Sequence, residues 1–311
     1  MVCDRSGAPV FILASPRSFT SVLCMMLGQH PQAEGFPEVN LLLFDTMEEF
    51  LERARGQHQF LIHGLLRVVA QLYAGEQTVR TIDMARRWVH RRRHQTTQVV
   101  YRELTDRLAP QFIIDKSPAY PSRETYLRRI PECFPEARFL YLVRNPIDQG
   151  LSMMRAPQGI AELLLNHALD FQSNPPSLDP QVEWFQTQTR ILTFLENIPE
   201  QRKFSLMGET LLQSPEPVLH SICEWLELPW SEAISEALLH PERSPYACMG
   251  PYGAPWGNNP GFQKAPSFRR SSRSSGRVDR DVPWRETREK LQPEVLALAS
   301  ALGYEGGEEG P

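Results

Sequence analysis

Residues 9–23 read PVFILASPRSFTSVL, and the fold follows from how this stretch divides. Residues 9–14 are an unbroken apolar run, the pattern of a strand buried on both faces in a parallel sheet. The run ends in Ser15-Pro16-Arg17-Ser18-Phe19-Thr20-Ser21, and a helical pattern opens at Thr20 and continues to Leu27. A strand that turns straight into a helix aims backbone N–H groups and the positive helix end at one point, a natural anion site. Arg17 adds a permanent cation, and Thr20 and Ser21 add hydroxyl donors. The GxxxxGK[ST] loop of Walker A is absent. The same residues also suit an ordinary strand–helix turn with a Ser or Thr N-cap.

Working outward, two further apolar runs read as strands, 111–114 (QFII) and 138–143 (RFLYLV), with a weaker one at 204–207 (FSLM). Residues 46–109 contain no strand-like run; Phe50, Ile62, Leu65, Leu66, Val69 and Leu72 recur at helical spacing. Amphipathic helices are predicted over 181–197 and 215–227, and a last one over 284–301. Strands alternating with helices imply βαβ units, hence an α/β fold with a parallel sheet covered on both faces. Residues 240–283 are rich in Pro, Gly, Ser and Arg, as expected of a functional lid or a disordered segment.

Composition narrows the function. The 311 residues are 41% hydrophobic and 23% charged, an ordinary globular balance. A formal net charge of −4 argues against bulk nucleic-acid binding, so an anionic ligand needs a local concentration of donors. The five cysteines are scattered, which suits a reducing compartment and gives no zinc or redox site. No apolar run approaches the roughly 20 residues of a membrane span. The N-terminal apolar stretch is too short for a signal peptide, and a cytoplasmic location is expected.

Other strand ends carry polar groups where ligand crevices form in open parallel sheets. In YLVRNPIDQGLSMMR, Arg144 ends the third strand and Ser152 follows eight residues later; an ion pair of Arg144 with Asp148 is the alternative use. The second strand ends in Ile114-Asp115-Lys116-Ser117-Pro118, where Lys116 is either a site cation or a surface residue beside Asp115. Glu38 lies in HPQAEGFPEVNLLLF. Burial among Phe36, Val39 and Leu41 would raise its pKa into the range of a general base, whereas a solvated loop position or an N-cap role would not. His30, before Pro31, reads as structural, and His63, among leucines, as a core or groove residue. The run ARRWVHRRRH (85–94) holds five arginines and two histidines, a solvated helix face or a dock for an acidic partner.

The run SPRSFTSVL resembles the SPRSGTTxL signature of sulfotransferases that use 3′-phosphoadenosine 5′-phosphosulfate, PAPS. The resemblance implies a single α/β domain of P-loop type over residues 1–311, with its central parallel sheet flanked by helices. The helical substrate-side region 45–109 and the lid loop 240–283 then frame a groove. It implies that Arg17, Ser18, Phe19, Thr20 and Ser21 cradle the 5′-phosphosulfate, although Phe19 stands where the family has Gly. Arg144 and Ser152 are similar to the family's 3′-phosphate site. The DKSP run is similar to that of tyrosylprotein sulfotransferases, where the lysine matching Lys116 reaches the reacting sulfonate and the carboxylate matching Glu38 is the base. GNNPGFQK (257–264) matches the loop that wraps the 3′-phosphate, implicating Gly261, Phe262 and Lys264, with Arg269 or Arg270 as further charge. At 207–210, MGET departs from the family's YED-like run. An aromatic at Gly208 would flank the adenine, so Phe262 and Trp256 become the candidates for that contact.

FPEVNLLLFDTMEEF and IIDKSPAY are most similar to sulfotransferases of polyketide and olefin-synthase assembly lines. That implies a hydroxyl acceptor, a β-hydroxyl on an acyl chain held by an acyl carrier protein, PAP as product, and no metal. The residues alone leave open a P-loop kinase and an inactive nucleotide-binding protein.

Overall fold

The computed structural model describes residues 8–173, 175–271, 276–285 and 289–304. Among the described residues, seven strands are β1 (Val10–Leu13), β2 (Ala33–Gly35), β3 (Phe112–Asp115), β4 (Arg138–Val143), β5 (Leu169–Asp170), β6 (Ser177–Leu178) and β7 (Lys203–Met207). Five of them form one sheet in the order β2-β3-β1-β4-β7, and every pairing is parallel. With β3 on one side and β4 on the other, β1 is the central strand and all four of its residues are buried. That burial is why it reads as a continuous apolar run. β2 carries no such signal because it is a three-residue edge strand with Glu34 in its middle. β5 and β6 make a separate two-residue antiparallel ribbon, too short to show alternation.

Helices connect the strands. They are α1 (Thr20–Leu27), α2 (Met47–Arg53), α3 (His63–Ala74), α4 (Val79–Arg91), α5 (Thr97–Leu108), α6 (Glu124–Cys133) and α7 (Pro146–Met154). Then come α8 (Gly159–Leu165), α9 (Pro180–Glu196), α10 (Gly208–Gln213), α11 (Pro215–Trp225), α12 (Glu232–Leu238), α13 (Pro260–Lys264) and α14 (Pro293–Ala301). The stretch expected to be all-helical holds α2 to α5, with one isolated bridge between Thr46 and Thr96. The last helix starts later than the sequence pattern predicts. Pro293 sits in its first turn, where a missing N–H costs nothing. Ahead of it Arg285 is tied to Asp170 and Asp179 instead of turning into helix; residues 286–288 lie outside the described residues.

Two contacts shape the site. α1 lies so close to β2 that a Cβ at Gly35 would stand 2.3 Å from the Cys24 carbonyl oxygen, and one at Gly28 would stand 2.5 Å from the Gly35 nitrogen. Only glycine fits there, and the approach carries the chain from β2 over the sheet's C-terminal edge towards Glu38. The segment expected to be a lid or disordered is stitched down in part. Gly257 accepts from the Glu38 N–H at 2.6 Å, and the Asn259 N–H donates to Ser21 Oγ at 3.2 Å. Residues 272–275 of that segment lie outside the described residues.

Glu183, fully buried on α9, accepts from Thr187 Oγ1 at 2.9 Å and from Gln149 Nε2 at 3.1 Å. Desolvation raises its pKa from 4.5 to about 7. The folded chain therefore holds this proton more tightly than the unfolded one. The stabilisation is fully present below the ordinary carboxylate range and is lost as pH rises through about 7, at up to about 1.4 kcal/mol per pH unit. Glu183→Gln is expected to flatten the decline of the urea midpoint over that window. An unchanged slope assigns the decline to other groups, such as Glu34, which burial also raises to about 7.

Candidate active site

Arg17 and Phe19 both adopt left-handed backbone, with φ of 69° and 64°. For residues with a Cβ this costs about 1–2 kcal/mol each. Phe19 thus takes the conformation glycine would give freely. Positive φ at these positions turns successive N–H groups to one side, the concave arrangement that binds anions. Phe19 is the N-cap of α1, and its side chain makes no capping bond, so the ordinary turn with a Ser or Thr N-cap is not what forms. Ser18 between them is buried, and its Oγ has no partner among the described residues. Gln149 Nε2 pins the turn from α7 through the Pro16 carbonyl at 2.9 Å. First-turn N–H groups, an unpartnered hydroxyl and a cation are thus held ready for an anion.

The second anion motif meets the first. Arg17 Nε donates to Ser152 Oγ at 3.3 Å, and an Arg144 guanidinium nitrogen donates to the Arg17 carbonyl at 2.5 Å. The alternative pairing of Arg144 with Asp148 does not form, because Asp148 is bound by Arg280. Desolvation lowers the pKa of both Arg144 and Arg17, the mark of positive charge held out of water without enough anion nearby. These residues line a cavity of about 810 Å³, within the range of small-molecule sites. Gly261 and Lys264 line it too, presented by α13.

Arg155 and Arg280 also line the cavity, Arg280 paired with Asp148, and sequence reading missed both. Arg155 lay within the quoted run, three residues past Ser152, whereas Arg280 stands in a loop with no pattern to mark it.

Three expectations are corrected. Phe262 is only 8% exposed and belongs to the hydrophobic core; it does not line the cavity. Asn259 Oδ1 accepts from the Gly261 and Phe262 N–H groups, and this cap orients α13 with Gly261 and Lys264 towards the cavity. Trp256 is not at the cavity either. Arg270 is bound to Glu216, and neither it nor Arg269 lines the cavity.

Beyond the turn stands the carboxylate–ammonium pair. Lys116 is fully buried, 2.6 Å from Glu38 Oε1 and 3.1 Å from Ser21 Oγ, so it is not a surface lysine. Behind it, Asp115 accepts from Tyr101 and Tyr120 hydroxyls at 3.1 and 2.8 Å, and from both the N–H and hydroxyl of Ser117 at 2.9 Å. Ser117 Oγ in turn accepts from the Asn40 N–H at 3.1 Å, which locks the Glu38 loop to the end of β3. The Glu38 carboxyl is 27% exposed and meets an ammonium rather than an apolar pocket, a correction to the expected burial. Phe36, Val39 and Leu41 are buried as expected, while the Glu38 side chain between them is not.

Glu162 on α8, unread in the sequence, is raised to about 7 by burial and lies in the field of Arg17 and Glu38. His63 opens α3 beside the Glu38 backbone, where a Cβ on Gly64 would stand 2.0 Å from the Glu38 carbonyl oxygen. Burial, with Arg86 and Arg67 adding to it, lowers His63 to about 4. His30 is structural: Nε2 bonds the Pro229 carbonyl and Nδ1 accepts from the Gln32 N–H.

The sulfotransferase family model matches residues 9–232, which include the turn, Glu38, Lys116, Arg144 and Ser152. Among solved structures, the fold is similar to the sulfotransferase domain from the curacin biosynthetic pathway. Identity there is 26% and the TM-score 0.75, over 97% of this chain and 99% of that one. It is also similar to the sulfotransferase domain of the Synechococcus PCC 7002 olefin synthase, at 22% identity and TM-score 0.73, over 96% of each chain. No curated protein matches by sequence. Among the described residues, no helix is long and apolar enough to cross a membrane. With the family model spanning both anion motifs and the carboxylate–ammonium pair between them, the chain belongs to the sulfotransferase family.

Proposed function

We propose that this chain moves the sulfuryl group of PAPS onto a hydroxyl, with Glu38 as base and Arg17 and Lys116 as the cations at the reacting group. The observation that carries the reading is the meeting of Arg17, Arg144 and Ser152 on one cavity wall, linked through Ser21 to the Lys116–Glu38 pair. PAPS supplies an activated sulfuryl on its 5′-phosphate. Ser18, Thr20, Ser21 and the turn's N–H groups hold the 5′ end, with Arg17 taking charge that develops on the bridging oxygen. Arg144 and Ser152, with Gly261 and Lys264 from the same cavity lining, hold the 3′-phosphate. Glu38 accepts the hydroxyl proton. As it is neutralised, Lys116 loses its anionic partner and is released to follow charge on the sulfonate. A sulfuryl group carries less negative charge than a phosphoryl, so cationic side chains serve where kinases use Mg²⁺.

We further propose that residues 45–109 and 240–283 frame the acceptor groove of one domain working in the cytoplasm. The proposed acceptor is a β-hydroxyacyl chain on an acyl carrier protein. The similarity to the curacin-pathway domain over nearly the whole chain supports this choice. The basic run contributes less free charge than its composition implies. Arg86 donates to the Gly253 carbonyl, Arg92 pairs with Glu103 and Arg93 with Glu48. Arg87 and Arg91 remain exposed on α4.

With ³⁵S-labelled PAPS and chelator present, label is expected to move to a carrier-bound hydroxyacyl chain. Arg87→Ala/Arg91→Ala should lower kcat/KM for that substrate, by a factor that shrinks as salt rises, and leave a small free hydroxyl acceptor unaffected. Equal effects on carrier-bound and free acceptors would remove the carrier from the proposal. Mg²⁺-dependent transfer from ATP would replace sulfuryl transfer with phosphoryl transfer.

A further inference from the structure

Two residues break the family pattern, Phe19 and Gly208, and the structure places them against each other. Gly208 is the first residue of α10, directly after β7. A Cβ built on it would stand 2.5 Å from Phe19 Cδ2 and 3.1 Å from Cε2, so the Phe19 ring fills the space any side chain at 208 would need. The Arg144 guanidinium lies over the ring, 4.3 Å from its centroid. Phe19 is half-buried and lines the cavity, and it is the one aromatic among the described residues that do so. The cations there suit phosphates and sulfate, but a purine needs a flat apolar face. A bulky residue held in left-handed backbone persists only when its surroundings over-determine it, and such strain gathers at ligand sites. Contact with Gly208 and the cation over its face are what hold this ring.

We infer that Phe19 is the residue that binds the donor's base, by stacking. Its ring is the platform on which the purine stacks, and glycine at 208 is required to admit that ring. An aromatic at either position, but not at both, completes the cavity. The inference rests on the PAPS reading above and deepens it.

Calorimetric binding of PAP and of abasic ribose 3,5-bisphosphate separates the two. Phe19→Leu is expected to weaken PAP about five- to hundredfold, the loss of one base stacked on an aromatic, and to weaken the abasic ligand by much less, since that ligand loses only the ring's hold on Arg144. Gly208→Tyr alone should lose at least about tenfold for PAP, since the new side chain meets the Phe19 ring. Phe19→Gly/Gly208→Tyr should return PAP to within about threefold of the parent, a strongly non-additive cycle. Tighter PAP binding by Phe19→Leu would mean that the ring occupies the base's own place, which overturns the platform. So would equal losses for both ligands, or a double variant no better than Gly208→Tyr. A parent that binds the abasic ligand as well as PAP sinks the platform alone, whereas a parent that binds neither sinks the nucleotide reading and the platform with it.

Discussion

Glu38→Gln is expected to cut turnover by about 10²–10⁴ while leaving PAP affinity within about threefold. Glutamine keeps the shape of the side chain and removes only its ability to take a proton. Glu38 also lies apart from the residues that line the nucleotide cavity, so donor binding has no direct reason to change. The substitution leaves Lys116, which is fully buried, with Ser21 Oγ but without its anionic partner. A buried charge stripped of its partner costs about 3–5 kcal/mol, so the melting temperature should fall too, and turnover must be read well below it. Lys116→Met tells the two effects apart, because it removes the buried charge with little change in volume. In the Glu38→Gln background it should restore stability without restoring turnover. Near-parent turnover in Glu38→Gln would send the proton elsewhere. His63 then becomes the base to test, being neutral at physiological pH and next in the chain to Gly64, which abuts the Glu38 backbone.

The sheet was legible where burial is complete. β1, β3 and β4 are apolar runs because both faces are covered, and a strand of that kind needs no alternation to be found. β2 was invisible because three residues on an edge, one of them glutamate, carry no periodicity. The start of α14 was misjudged because an amphipathic pattern does not register that Pro293 opens the helix and that Arg285 is tied to two aspartates.

The site divides in the same way. Arg17, Arg144 and Lys116 could be read because each stands at or just beyond the C-terminal end of a strand visible in the sequence, where an open parallel sheet forms its crevice; Glu38, beyond the unread β2, was reached from its apolar neighbours and the resemblance. Arg155, Arg280 and Glu162 reach the site from helices and loops whose spacing to those strands no local pattern encodes. Phe19 and Gly208 looked like two separate departures in the sequence. Only the fold, which sets the ends of β1 and β7 on the same edge of one parallel sheet, makes them one contact. Phe262 was misplaced for the opposite reason, since an apolar residue in a loop of polar ones reads as exposed until the helix that turns it inward is known.

Arg144 bears on the central claim, that the cavity is built for a nucleotide carrying a 3′-phosphate as well as a 5′ sulfate or phosphate. Its guanidinium is held by the Arg17 carbonyl and the Phe19 ring, its backbone carbonyl accepts from Trp184 Nε1 at 2.8 Å, and its Nε is buried without a partner among the described residues. That donor is available to a ligand in the cavity. Arg144→Ala should therefore weaken PAP by about 1.5–3 kcal/mol, the scale of a charged hydrogen bond, or roughly ten- to 150-fold. Adenosine 5′-phosphosulfate has no 3′-phosphate and should lose much less. The direct measurement is calorimetric titration of parent and Arg144→Ala with both nucleotides at one fixed ionic strength, since charge contacts weaken with salt. The account predicts that the parent prefers PAP and that the variant loses most of that preference. Equal losses for the two nucleotides, or a parent with no preference between them, would contradict it.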